Sequence, residues 1–149
     1  MFNENLKLSG QIAIVLKDKD GNVKEERTEK NLVVTTGLNY IASRMKDASA
    51  TAMTHMALGS GTTSAAAGQT ALVTLLGARE ALDSTTVTAN AVAYVSSFEA
   101  GDATGAVTEA GIFNASTSGT MLCRVVFSVV NKAADDTMTV TWTITLAAS

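Results

Sequence analysis

Residues 137–146 read Thr-Met-Thr-Val-Thr-Trp-Thr-Ile-Thr-Leu. A period of two cannot sit still on a helix. It places Met138, Val140, Trp142, Ile144 and Leu146 on one face of a strand and five threonines on the other. Threonine is itself a good strand former. A strand with one dry face needs a second layer to cover it, so the chain must build at least two layers. Residues 121–130, Met-Leu-Cys-Arg-Val-Val-Phe-Ser-Val-Val, form a nearly continuous apolar run and predict a central, buried strand. Val125, Phe127 and Val129 are expected to set their face against the alternating strand.

Further strands are expected at 10–17, 23–28, 53–58, 79–89, 91–98 and 107–114, separated by turn signals. Asp20-Gly21 is a hairpin signal, because glycine accepts positive φ without a Cβ clash. Its return strand, Val-Lys-Glu-Glu-Arg-Thr, is mostly charged and predicts an exposed edge guarded against unwanted pairing. Residues 35–46 predict one helix. Thr35 or Thr36 is placed to cap it, Leu38, Ile41, Ala42 and Met45 fall on one face, and Arg44 and Lys46 sit where the helix dipole favours cations. Strands with turns every eight to twelve residues predict a mainly β fold: a β-sandwich (jelly-roll-like or Ig-like) or a barrel, with one short α-helix near residues 35–46. Residues 1–9 read as an N-terminal arm and 10–149 as a single β-rich domain. A length of 149 residues suits one domain with a real core.

Charged residues are 17% of the chain, below the roughly 25% of an ordinary globular protein. A surface poor in charge and rich in Thr, Ser, Ala and Gly favours close contact with protein. The net charge of −3 argues against sequence-independent nucleic-acid binding, which needs clustered Lys and Arg. No apolar run reaches membrane-spanning length, and the N-terminus lacks a signal-peptide core, so synthesis without a secretion signal and no membrane partner are expected. Cys123 is the sole cysteine and lies in the apolar run, where a small buried hydrophobe is the expected role.

Candidate chemistry is sparse, and no cofactor or metal is expected. His55 is the only histidine, and no nucleophile-elbow sequence accompanies it. Gly59-Ser60-Gly61-Thr62-Thr63 is glycine-rich but lacks the lysine of a phosphate loop. Asp18, Asp20 and Asn22 resemble the start of a calcium loop, but Val23 stands at the sixth position, where such loops need Gly. Asn114-Ala115-Ser116 reads as a turn. Glu109 is the odd carboxylate, because it lies in an otherwise apolar strand. A buried carboxylate needs hydrogen bonds or a counter-ion; Arg79, Arg124 and backbone N–H groups are the candidate partners. These three side chains are expected to act as structural anchors, not catalysts.

Three stretches carry a resemblance. They are Asn31-Leu32-Val33-Val34-Thr35-Thr36-Gly37-Leu38-Asn39-Tyr40-Ile41-Ala42; Met56-Ala57-Leu58-Gly59-Ser60-Gly61-Thr62-Thr63 followed by Ala71-Leu72 and Arg79-Glu80; and Val107-Thr108-Glu109-Ala110-Gly111-Ile112-Phe113-Asn114 followed by Gly119-Thr120-Met121-Leu122-Cys123-Arg124. In this order they resemble small virion proteins of tailed bacteriophages and, in part, the head-proximal domains of tail-collar fibres. The sequence stops soon after its last strand, where a fibre would continue into a shaft. The resemblance therefore implies a non-enzymatic capsid cement or decoration protein, made in the host cytoplasm and located in the virion. It would bind the assembled shell as a homo-oligomer, a trimer or dimer, with the major capsid protein as partner. A tail-fibre, neck or baseplate adaptor, with tail or neck partners, is the alternative. Phe2, Leu6 and Leu8 in the arm, and Asn31, Leu32, Val33 and Val34, are the candidate partner contacts. A carbohydrate-binding module is the reading from another class; it would need an aromatic platform, and only Trp142, Tyr40 and Tyr94 offer one.

Overall fold

The computed structural model describes residues 5–46 and 50–148. Ten strands and one helix follow in the order β1 (Leu6–Lys17), β2 (Val23–Lys30), β3 (Leu32–Val33), α1 (Thr35–Lys46), β4 (His55–Gly59), β5 (Glu80–Ala81), β6 (Ser84–Thr88), β7 (Ala91–Phe98), β8 (Gly105–Phe113), β9 (Met121–Lys132) and β10 (Thr137–Ala148). They form two five-stranded antiparallel sheets, β2-β1-β10-β7-β6 and β3-β9-β8-β4-β5, packed face to face as a β-sandwich.

The alternating strand β10 sits in the middle of its sheet. Its apolar residues meet those of both neighbours in register: Trp142 lies opposite Ile12 and Tyr94, Val140 opposite Ile14, and Met138 opposite Leu16 and Phe98. Across the sandwich this layer packs on Met56, Leu58, Val107, Ala110, Ile112, Cys123, Val125 and Phe127 of the second sheet. Each such aliphatic or aromatic side chain fully removed from water contributes roughly 1.5–3 kcal/mol.

Several expectations change once the sheets are assembled. The arm proposed for residues 1–9 does not extend to Leu6, because β10 runs to Ala148 and offers backbone partners along its whole length. Leu6 pairs with Ala148 and Leu8 with Leu146. Phe2 lies outside the described residues. The strand expected at 79–89 is split into β5 and β6, where the chain leaves one sheet for the other. The apolar run in β9 is interior and mostly buried as expected, flanked by β3 and β8, although β8 holds the middle of that sheet. Val129 is exposed although Val125 and Phe127 are buried. A register shift explains this: Glu109 faces Val126 but Val107 faces Val130, so β9 carries extra residues and its inward parity switches after Phe127.

The helix occupies its expected span but is turned so that, of its expected apolar face, only Ile41 packs on the core. Leu38 and Met45 are exposed, whereas Gly37 is buried and Tyr40 and Ile41 pack on the core. Thr36 is not a cap: its Oγ1 donates to Met121 O at 2.9 Å and pins the helix onto β9. The first turn is closed instead by Leu38 N–H donating to Val34 O at 3.0 Å. The Asp20-Gly21 turn forms as expected, with Gly21 at φ 83°. Asp18 Oδ1 accepts from Asp20 N and Asn22 N at 2.9 Å each, so the carboxylate staples its own hairpin.

Candidate functional site

Glu109 and Arg124 face each other on the outer side of the β3-β9-β8-β4-β5 sheet, and both side chains are fully buried. The cover is the long connection between β4 and β5. It folds back over the sheet: Leu76 N–H donates to Leu58 O at 2.9 Å, and Ser60 N–H to Thr74 O at 2.8 Å. Beneath it, Leu72 packs on Val34, Ala57, Phe113 and Met121, a second small apolar cluster.

Every oxygen of Glu109 is occupied. Oε1 accepts from Gly61 N at 2.9 Å and Thr74 N at 2.7 Å, while Oε2 accepts from Val73 N at 3.0 Å and Arg124 Nε at 2.9 Å. Arg124 Nη2 stands 2.7 Å from the same Oε2. Its Nη1 donates to Thr63 O and to Gln69 Oε1, each at 2.9 Å. Thr108 Oγ1 completes the clasp by donating to Gly61 O at 2.8 Å. The glycine-rich stretch is thus an anion cradle, and its anion is the protein's own carboxylate. Gly59 and Gly61 are required by close approach: a Cβ at either would collide with the Glu109 side chain.

Burial pushes the Glu109 carboxyl up, but the N–H groups of Thr74 and Val73, the Arg124 guanidinium and the Gly61 N–H outweigh it and hold the group below its ordinary value of 4.5. Its contribution to stability is therefore complete above that value and is lost as pH falls through the lowered one. Thermal melts from pH 7 down to pH 3 should show a falling midpoint, and the fall should be shallower in Glu109→Gln. Equal slopes in both proteins would contradict this. Asp136, held low by Lys24 Nζ at 2.7 Å and by Ala133 N–H, adds to the same acid sensitivity in both.

Arg79 does not join Glu109. Its guanidinium lies 3.5 Å over the Phe113 ring, and Nη1 donates to Ala115 O at 2.9 Å and Ser118 O at 2.7 Å. It anchors the 114–119 turn, a separate clasp on the same sheet. Of the three expected anchors, the fold brings two together and gives the third its own turn.

The candidate contact residues fare unevenly. Val34 is fully buried, so it is core and not contact surface. Val33 packs against the main core, because β3 pairs with β9 at the corner where the chain changes sheets. Both polar side-chain atoms of Asn31 are buried, in the space left by Gly10 having no Cβ. Leu32 is exposed, Leu8 packs against the core, and Leu6 is 67% exposed.

Three exposed features escaped sequence reasoning. Met45, 82% exposed, and Leu38 lie on the free face of α1. A cleft of about 310 Å³, lined mainly by apolar residues including Tyr40, Ile41, Val87, Val92, Tyr94 and Leu146, opens between α1 and the β6 side of the first sheet. Strand β6 is exposed along its whole length. Its signal was in the sequence, because residues 84–98 contain no charged side chain.

His55 Nδ1 is 2.8 Å from Thr54 Oγ1. Among the described residues no three His, Cys, Asp or Glu side chains gather to hold a metal. Cys123 is fully buried, and burial pushes its thiol well up, away from the reactive thiolate. Trp142 is fully buried within the core, where it cannot serve as a glycan platform. Among the described residues no helix is long and apolar enough to cross a membrane. Comparison with protein-family models, with curated proteins and with solved structures gave no match.

Proposed function

We propose that this chain is a structural, non-enzymatic component of a tailed-phage virion, a cement or decoration protein that binds the assembled shell as a homo-oligomer. The observation that carries this reading is the Glu109–Arg124 clasp. Some of the residues through which the sequence resembles small phage virion proteins build it: Gly59, Gly61, Glu109 and Arg124, with Ala71 and Leu72 in the cover. A carboxylate saturated by three backbone N–H groups and a guanidinium has no free lone pair for acid–base work. Its role is to hold a long connection rigid, which suits a surface that docks repeatedly without paying for loop ordering.

The low charge and the exposed apolar positions Leu6, Leu38 and Met45 support contact with protein. Docking of a symmetric oligomer at several equivalent points would convert weak contacts into a strong attachment. The test is cryo-electron microscopy of particles incubated with the purified protein. Symmetric density over the shell is the expected result. Density confined to the neck or tail would move the protein to an adaptor role, and no density on any part of the particle would refute the virion reading.

A further inference from the structure

The two sheets end in four edges, and these differ in how they are defended. Strand β2 carries Lys24, Glu25, Glu26, Arg27, Glu29 and Lys30, a charged edge of the kind that discourages pairing. Strands β3 and β5 are two residues each, too short to template a partner. Strand β6 has neither protection. It reads Ser-Thr-Thr-Val-Thr, has five residues, and pairs only with β7 among the described residues. Alternate residues of such a strand direct unpaired N–H and C=O groups away from the sheet.

Two further observations bear on what pairs there. The whole β6–β7 hairpin, residues 84–98, is free of charge in a chain of net charge −3, so two copies meet at this hairpin without the repulsion they carry elsewhere. Thr85 and Val87 line the cleft of about 310 Å³ beside Val92 and Tyr94, yet Val87 is 70% exposed. The cleft-side face of the sheet therefore continues past its last strand with an uncovered apolar residue.

We propose that β6 is the self-association edge, pairing antiparallel with β6 of a second copy about a twofold axis at Thr86. This deepens the virion reading by naming the contact that makes the oligomer. In that register Thr86 faces its own counterpart, and Thr85 of each copy faces Val87 of the other on the cleft side. Ser84 and Thr88 face each other on the outer side. The β2-β1-β10-β7-β6 sheets of the two copies become one sheet of ten strands, and both exposed valines gain a cross-strand neighbour. Threonine and valine are strand formers, so the sequence suits the pairing it would make.

Two variants test it on the whole chain. Thr86 is exposed, so Thr86→Lys should fold with an unchanged circular dichroism spectrum while placing two like charges on the axis. Sedimentation velocity should give a mass of two chains for the wild type and one for Thr86→Lys, with Glu26→Lys on the guarded edge behaving as wild type. Thr86→Cys should form a cross-linked dimer on mild oxidation, because equivalent residues meet on the axis and Cys123 is buried. A wild-type monomer, an oligomer whose mass Thr86→Lys leaves unchanged, or the absence of cross-linking in Thr86→Cys would overturn the proposal. Shell binding is read separately. A Thr86→Lys monomer that still docks on particles, more weakly, supports β6 pairing and leaves the virion reading intact. A β6 dimer that never docks upholds the edge and refutes only that reading.

Discussion

Replacing Arg124 with methionine should destabilise the protein by about 3–5 kcal/mol, the usual cost of removing one partner from a buried ion pair. That is a large share of the roughly 5–15 kcal/mol that holds an ordinary domain together. The substitution strands Glu109 as a buried charge and leaves Thr63 O and Gln69 Oε1 without the guanidinium donor they share. Replacing both partners with apolar residues often rescues a buried pair elsewhere, but here it should not. Glu109 is also the acceptor for the N–H groups of Gly61, Val73 and Thr74. Each stranded donor costs about 1–3 kcal/mol. Urea unfolding of Arg124→Met, Glu109→Leu and the double variant checks this. Amide exchange at Gly61, Val73 and Thr74 should quicken most in the variants lacking Glu109. A double variant as stable as the wild type would show that the clasp is an ordinary ion pair and not the anchor of the cover.

Gly37→Ala should also destabilise, by about 1–3 kcal/mol or somewhat more. Helix propensity alone predicts the opposite sign, because alanine in a helix interior is favoured over glycine by about 1 kcal/mol. The structure reverses it: a Cβ at Gly37 would land on the carbonyl of Leu122, and the obstacle is backbone on a strand that cannot yield. Thr36 Oγ1, bound to Met121 O, fixes the helix at that spot. The helix would have to lift, opening the cleft beside Tyr40 and Ile41. Thermal melts of Gly37→Ala decide the matter, since a raised midpoint would mean that the helix sits less tightly on β9 than the geometry requires.

Much of the local structure was legible in the chain. The threonine alternation fixes which face of β10 is dry, and Trp142 is buried there as its period demands. The Asp20-Gly21 turn and the span of α1 follow from local chemistry alone. Glu109 stood out because a carboxylate in an apolar strand must be answered by donors, and Arg124 was among the partners expected. What sequence could not supply was which donors converge. Arg79 and Arg124 are equally plausible from spacing, and only the course of the 60–76 connection puts Arg124 on Glu109 and Arg79 on Phe113.

The remaining differences share one physical origin. Periodicity reports which residues can share a face, not which face a neighbour will cover. Leu38, Ile41, Ala42 and Met45 form an apolar stripe on paper, yet only Ile41 of the four packs on the core, because the close backbone approach at Gly37 sets the helix's rotation. Val34 and Val129 belong to similar apolar runs, but β3 turns one into the core and the β9 bulge turns the other out. Leu6 joins the fold because β10 is long enough to pair with it. The sequence by itself determined most of the strands, the Asp20-Gly21 turn, the span of the helix and the need for two layers, since these rest on interactions between near neighbours. Sheet order, edge exposure and the Glu109–Arg124 clasp were decided only by tertiary structure, since each depends on segments tens of residues apart meeting in space.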